Sequence, residues 1–338
     1  MNNNSEIIVA IRCITYNHEP YISECLDGFV MQKTNFKFVA IVHDDASTDA
    51  TAAIIREYAE KYPDIIKPIL ETENQYSKKD GSLGRIMSNA VIETGAKYVA
   101  MCEGDDYWID PYKLQKQVDF MEENEDIGIC YTDYNRLVEP HKDLVESLYE
   151  KCKSYRATTY EQFLLKPGYL APMTWMYRIN LMEHINKSKI YSDGTYAYML
   201  EFMYNSKVAY IPEVTAVYRA HEGSASATIS VEAQFNYRLG IYKTQNHYAK
   251  KYPCEEELQR KIHIRSILNI LPDAVRANKA DFINDAQLYM EDNGLDIKAI
   301  LKDLIQGEKC RKSYAYRLGK KLLIPLSLLR KIIDNYEG

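Results

Sequence analysis

The chain has 338 residues, of which 46% are apolar or aromatic and 27% charged, with a formal net charge of −6. That length fits one large domain with an appendage or two modest domains, and the apolar content excludes global disorder. The acidic balance argues against nucleic acid as the main partner.

In chain order, residues 7–14 form a short apolar run interrupted by Arg12 and predict a buried strand. Pro20 opens a helix whose Ile22, Leu26, Phe29 and Val30 share one face. Residues 36–43 predict a second strand. Ser47 is expected to cap the next helix, which carries Ile54, Ile55, Tyr58 and Tyr62 on one stripe, with Asp49 near its positive end. A short strand at 66–70, a polar stretch at 71–84 and a helix over 85–94 ended by Gly95 follow. The next strand is 97–102, and Asp110-Pro111 starts a helix reaching about residue 123. Residues 129–134 and 207–211 predict further strands, and 173–177 offers another. From residue 231 the texture is helical and charged, which divides the chain into domains at 1–228 and 229–338.

Strands alternating with helices imply parallel β-α-β units in a doubly wound sheet, where ligands bind beyond the carboxyl ends of the strands. That rule selects residues 15–18, 43–47 and 103–108. In the last segment, Glu103, Asp105 and Asp106 place three carboxylates within four positions. Such a cluster repels itself unless a cation or protons intervene, and hard oxygen donors suit Mg²⁺ or Mn²⁺ carrying substrate phosphates. A solvated acidic turn is the plainer explanation. Asp110 is most simply a helix cap. Asp44 and Asp45 can accept hydrogen bonds from a uracil or ribose, or hold the backbone at the helix start. Tyr16 can stack on a base. No G-x-G-x-x-G follows the first strand and no G-x-x-x-x-G-K-[ST] occurs, so a bound diphosphate has no glycine loop and needs a cation.

With these pieces in order, the sequence resembles family 2 glycosyltransferases of the GT-A fold. The matching segments are V-A-I-R-C-I-T-Y-N-H-E-P-Y at 9–21, V-H-D-D-A-S-T-D-A-T at 42–51 and Y-V-A-M-C-E-G-D-D-Y-W-I-D-P-Y-K-L at 98–114, with a weaker one, Y-I-P-E-V-T-A-V-Y-R-A-H-E-G-S, at 210–224. The resemblance spans roughly residues 6–226. It implies an α/β GT-A fold, a Rossmann-like and mostly parallel sheet flanked by helices, followed here by a helical C-terminal extension. It also implies an inverting transfer from a nucleotide-diphosphate sugar, with UDP favoured, to a hydroxyl of a glycan or lipid-linked acceptor in cell-surface polysaccharide synthesis. The sugar would be a hexosyl or hexosaminyl group.

Carried over by position, Thr15 and Tyr16 line the nucleoside pocket and Asp44 or Asp45 contacts the base. Asp105 faces the ribose, Asp106 ligates Mn²⁺ or Mg²⁺, and His221 approaches the metal or diphosphate from the acceptor side. Glu103 stands where the family usually has Asp, which weakens it as a metal ligand, and Ile14 stands where Pro is common. Asp193, in Tyr191-Ser192-Asp193-Gly194, matches an acidic residue before a helix and is the general-base candidate, with Glu201 behind it. Its competing role is a helix cap or turn.

Seven scattered cysteines without a C-x-x-C pair form neither a disulfide framework nor a zinc site and point to a reducing cytoplasm. The first residues lack a signal-peptide pattern, and no run reaches the ~18–20 apolar residues of a membrane span. Residues 314–333 mix Leu and Ile with Arg317, Lys320, Lys321, Arg330 and Lys331, which fits either a packing helix or a basic segment lying on the inner face of the membrane. Two rival functions stay open. A metal-dependent nucleotidyltransferase would carry a glycine-rich basic loop after the first strand, which residues 15–20 lack. A sugar-nucleotide-binding module without catalysis would bind donor without turning it over.

Overall fold

The computed structural model describes residues 6–166, 171–185, 193–222, 230–277, 280–292 and Gly294. The chain divides into two compact units, residues 1–228 and 229–338.

The first unit is built on a nine-stranded sheet among the described residues. Strand β1 (Ile7–Thr15) has Val9, Ala10, Ile11 and Cys13 fully buried, as expected of a strand covered on both faces. It pairs in parallel with β2 (Lys37–Asp44) on one side and β4 (Tyr98–Met101) on the other, and β2 pairs in parallel with β3 (Ile66–Leu70). Helices α1 (Ile22–Val30), α2 (Thr51–Lys61) and α3 (Ser82–Glu93) make the connections. Beyond β4 the sheet is mixed. The short β8 (Met176–Arg178) lies antiparallel between β4 and β6 (Ile127–Val138), and β6 runs parallel to β9 (Lys207–Ala220). Strand β5 (Tyr107–Trp108) pairs antiparallel with β9, and β7 (Asp143–Val145) with β6. Helices α4 (Lys113–Glu123), α5 (Tyr160–Leu165) and α6 (Gly194–Asn205) complete the unit.

Several local expectations change. Ser47 does not cap α2: its hydroxyl bonds the Asp44 carboxylate, Ala46 turns the chain at φ 62°, and the helix starts later, with Asp49 Oδ1 accepting the Thr51 N–H at 3.0 Å. Strands β6 and β9 run well past the predicted ends because each shelters the other's polar backbone. Pro172 opens a 3₁₀ turn, so only Met176 and Tyr177 of the 173–177 segment extend into β8. Gly95 does end α3, in the left-handed conformation at φ 67°.

The second unit packs α7 (Val231–Lys251), α8 (Glu256–Ala277) and α9 (Ala280–Asp292) around Phe235, Leu239, Tyr242, Ile270, Ala274 and Tyr289. The basic segment 314–333 lies outside the described residues.

Candidate active site

Strand β4 ends at Met101, but the chain keeps following β1. The Cys102 N–H donates to the Arg12 carbonyl at 3.2 Å, and the Gly104 N–H donates to the Ile14 carbonyl at 3.0 Å. This lays Glu103–Asp106 across the end of β1. Gly104 permits the approach: a Cβ there would sit 2.6 Å from Thr15 Cβ and Oγ1 and 3.0 Å from His18 Nδ1. Any side chain would push the acidic loop off the β1 end.

The three carboxylates then diverge. Asp105 points at two imidazoles, with its Oδ2 3.1 Å from His221 Nε2 and 3.9 Å from His18 Nε2. Burial alone would raise its pKa. The hydrogen bond with His221 and the nearby His18 outweigh that and hold the carboxyl below its usual range. Asp106 turns inward, only 3% exposed, and its Oδ1 accepts the Arg219 N–H at 2.9 Å. Burial and the adjacent Asp105 charge push its pKa well above the usual carboxylate range. Glu103 faces the Arg12 guanidinium at 3.6 Å and keeps about a third of its side-chain surface open to the cleft. Crowding by protein on the remaining sides raises its carboxyl to about 7, against the pull of Arg12 and with a further push from Asp105.

Arg219 holds this arrangement from β9. Its Nε donates to the Asp105 carbonyl at 3.0 Å, one Nη to Glu139 at 2.8 Å and the other to Glu24. Its guanidinium lies 4.8 Å from the Tyr21 ring centre and 5.0 Å from that of Tyr107. The same strand end carries His221 to Asp105. His18, Asp105 and His221 form the one cluster among the described residues whose His, Cys and carboxylate donor atoms come together as a metal would require, all within 4.8 Å of one another. Burial lowers the His18 pKa, partly offset by Asp105, which favours the neutral, ligating imidazole.

Of the residues expected at the metal, His221 belongs to this cluster, while Glu103 and Asp106 do not. Asp105, expected at the ribose, stands in it. The acidic segment is a loop anchored on both sides rather than a continuing strand, so strand alternation does not decide where its side chains point.

The residues expected at the nucleoside also stand at the ends of β1 and β2. Thr15 is buried, and its hydroxyl has no hydrogen-bond partner among the described residues. Tyr16 is 45% exposed at the loop tip. Asn17 turns the chain at φ 54° and locks the first two loops together, its N–H donating to Ser47 Oγ and its Oδ1 accepting the Thr48 N–H, both at 2.8 Å. Asp44 and Asp45 are both buried and both engaged. Asp44 accepts from Ser47, and Asp45 accepts the Gln75 and Tyr76 N–H groups at 2.7 and 3.0 Å. Asp193 is the N-cap of α6, accepting the Tyr196 N–H at 2.9 Å, and Glu201 is buried within that helix.

Sequence reasoning selected the segments that hold His18 and Gly104 but gave neither a role, and it singled out no role for Arg219. Each lies inside a segment quoted for the resemblance, and His18 follows Asn17 directly. Their roles depend on three segments distant in sequence meeting at one point.

A model of glycosyl transferase family 2 matches residues 11–185, just over half of the chain. The chain therefore belongs to glycosyl transferase family 2. An uncharacterized protein of Mycobacterium tuberculosis is 32% identical over 63% of this chain and 59% of its own length, so the chain spans well under two thirds of that relative. The poly(ribitol-phosphate) β-N-acetylglucosaminyltransferase TarS of Staphylococcus aureus is 23% identical over 96% of this chain and 53% of its own. The crystal structure of TarS 1–349 with UDP-GlcNAc superposes with a TM-score of 0.53 at 16% identity, covering 86% of this chain and 93% of that one. The mannosyltransferase PcManGT of Pyrobaculum calidifontis, solved with GDP-Man and Mn²⁺, gives 0.52 at 16% identity over 93% and 84%. These solved structures establish the GT-A fold.

Proposed function

We propose that the chain is a metal-dependent, inverting glycosyltransferase that moves a hexosyl or hexosaminyl group from a nucleotide-diphosphate sugar to an acceptor hydroxyl. The observation that carries this reading is the convergence of Asp105, His18 and His221 beyond the carboxyl end of β4, beside the buried Thr15 hydroxyl, which has no hydrogen-bond partner among the described residues. Two imidazole nitrogens and a carboxylate oxygen fit a divalent ion. Bound there, Mn²⁺ or Mg²⁺ would neutralise the leaving diphosphate, which no glycine loop of this chain cradles.

The remaining tasks fall to the chain itself. Tyr16 at the exposed loop tip offers its ring to the base. Asp44 and Asp45 shape the nucleoside pocket by holding the 45–47 turn and the 75–76 backbone, and a direct contact from either to the base would share oxygens already engaged by the protein. Asp193 is the proposed proton acceptor for the attacking hydroxyl, with Glu201 second. UDP is the favoured nucleotide, supported by the UDP-GlcNAc complex of TarS, and the acceptor class is a glycan or lipid-linked polymer of the cell surface. A cytoplasmic location, peripheral on the inner membrane face, rests on the basic segment 314–333. No described helix is long and apolar enough to cross a membrane.

The decisive experiment incubates the full chain with a panel of nucleotide sugars with and without Mn²⁺ and measures nucleotide release, alone and with acceptor glycans. Metal-dependent release that Asp105→Ala abolishes is the expected result. Donor binding without release or transfer to any acceptor would leave a binding module instead.

A further inference from the structure

We infer that His18 is a direct ligand of the divalent ion, so that two imidazoles and one carboxylate hold it and the site prefers a transition-metal ion to Mg²⁺. This rests on the metal-dependent reading above and adds to it a specific residue and a metal preference.

The geometry argues for a ligand rather than a partner in an ion pair. His18 Nε2 faces Asp105 Oδ2 at 3.9 Å, too long for a hydrogen bond, while His221 Nε2 is already 3.1 Å from the same oxygen. An ion with bonds of roughly 2.1 Å sets neighbouring donors about 3 Å apart. His18 therefore needs to approach Asp105 by about 1 Å, within a cluster whose donor atoms already lie within 4.8 Å of one another.

The main chain holds that imidazole in place. The His18 N–H donates to Thr51 Oγ1 at 2.9 Å, and its carbonyl accepts the Tyr21 and Ile22 N–H groups, each at 2.9 Å. The preceding Asn17 is pinned to the second loop. The ring stands edge-on to His221 with centroids 6.1 Å apart and tilted against Tyr21 at 6.4 Å. On its far side, His18 Nδ1 and Thr15 Oγ1 are both buried, both lie against Gly104, and neither has a hydrogen-bond partner among the described residues. A water or ligand oxygen accepting from Nδ1 there would fix the tautomer that leaves Nε2 free to ligate, as outer partners do for metal-bound histidines. Imidazole donors suit the later first-row ions such as Fe²⁺, Ni²⁺ and Zn²⁺ best and Mn²⁺ least among that row, whereas Mg²⁺ favours carboxylate, carbonyl and water oxygens.

The test titrates the metal-free full chain, without donor, with Mn²⁺ and with Mg²⁺ by calorimetry, and records electron spin-echo modulation of bound Mn²⁺. Wild type should show two imidazole nitrogens coupled to Mn²⁺, and His18→Ala and His18→Gln should each show one. Both variants should bind Mn²⁺ at least about ten-fold more weakly, with a smaller change for Mg²⁺. Thermal melting identifies a misfolded variant, and the wild-type nitrogen count stands independently of either substitution. A single coupled nitrogen in wild type, or unchanged Mn²⁺ affinity and metal preference in both folded variants, overturns the inference. Asp105→Ala separates the two levels. If it abolishes Mn²⁺ binding while the His18 variants do not weaken it, only this inference falls; if it too binds Mn²⁺ normally, the metal centre itself is misassigned.

Discussion

At Gly104 a single hydrogen atom decides how closely the acidic loop lies on Thr15 and His18. In Gly104→Ala the new methyl meets Thr15 at 2.6 Å, and because the loop is hydrogen-bonded to β1 the strain cannot be relieved by a side-chain rotation alone. Overpacking of this kind costs roughly 1–3 kcal/mol, so melting should fall and donor affinity with it. Wild-type donor titration in that variant would show that the close approach is not needed. Asp193 poses a different question, since its carboxylate is already a helix cap. Asn caps as well as Asp but accepts a proton far less readily. Asp193→Asn should therefore melt like wild type and bind donor normally, yet lose transfer by roughly 10²–10⁴-fold. Near-wild-type turnover would pass the role to Glu201, to be examined as Glu201→Gln.

At the scale of elements, one helix and one strand carry further consequences. Lys113 in α4 is fully buried, bonded to Gln117 and lying 4.6 Å from the Trp108 ring centre, and burial lowers its pKa to about 8. Between that value and its ordinary 10.5, the unfolded chain binds more protons than the folded one, so this group makes stability rise with pH across that window. Below about pH 8 the full cost of charging it in the core applies. Lys113→Met should flatten that part of the stability profile and leave the protein at least as stable at neutral pH. An unchanged slope in denaturant titrations from pH 7.5 to 10 would mean that Lys113 does not titrate there.

Strand β9 matters through Arg219, which is 3% exposed and bridges Glu24, Glu139 and the Asp105 carbonyl. Arg219→Met leaves two carboxylates without their cation and the acidic loop without its anchor. Glu24 is half exposed and regains water, so a loss of about 1–3 kcal/mol in denaturant titration is expected, with weakened Mn²⁺ binding.

These elements also show what one sequence reveals. The rule that ligands gather beyond the carboxyl ends of strands points to residues 15–18, 43–47 and 103–108, and those segments do meet, through Asn17 with Ser47 and Thr48 and through Gly104 with Thr15. Local patterns sufficed because β1, β2 and β4 are short apolar runs separated by helices. Strands β6 and β9 were legible only in part, since Arg136, Glu213 and Arg219 break the apolar pattern while mutual pairing keeps both extended. The direction in which each acidic side chain points was not legible either. It depends on Arg219, more than a hundred residues from the loop it grips.

At the scale of the whole molecule, the two units invite separate assays. The helical unit has its own aromatic core, with Phe235 and Phe282 stacked at 4.5 Å, and continues into the basic segment 314–333. If that segment lies on anionic lipid, the full chain should co-sediment with phosphatidylglycerol vesicles and a chain ending at Gly307 should not. An equal distribution of the two would assign the segment to ordinary packing.

The position of His221 in the chain has a consequence for how the protein matures. The cluster draws one residue each from the loop between β1 and α1, the loop after β4 and the end of β9, so no two of its members are neighbours in synthesis. A nascent chain halted anywhere before β9 has at most two of the three donors and lacks the Arg219 clamp. An ion that binds only the completed site then stabilises finished molecules and passes over unfinished ones, by an amount that grows with its free concentration. Metal uptake during translation would thus serve as a reporter of sheet completion, appearing only once the last strand has docked.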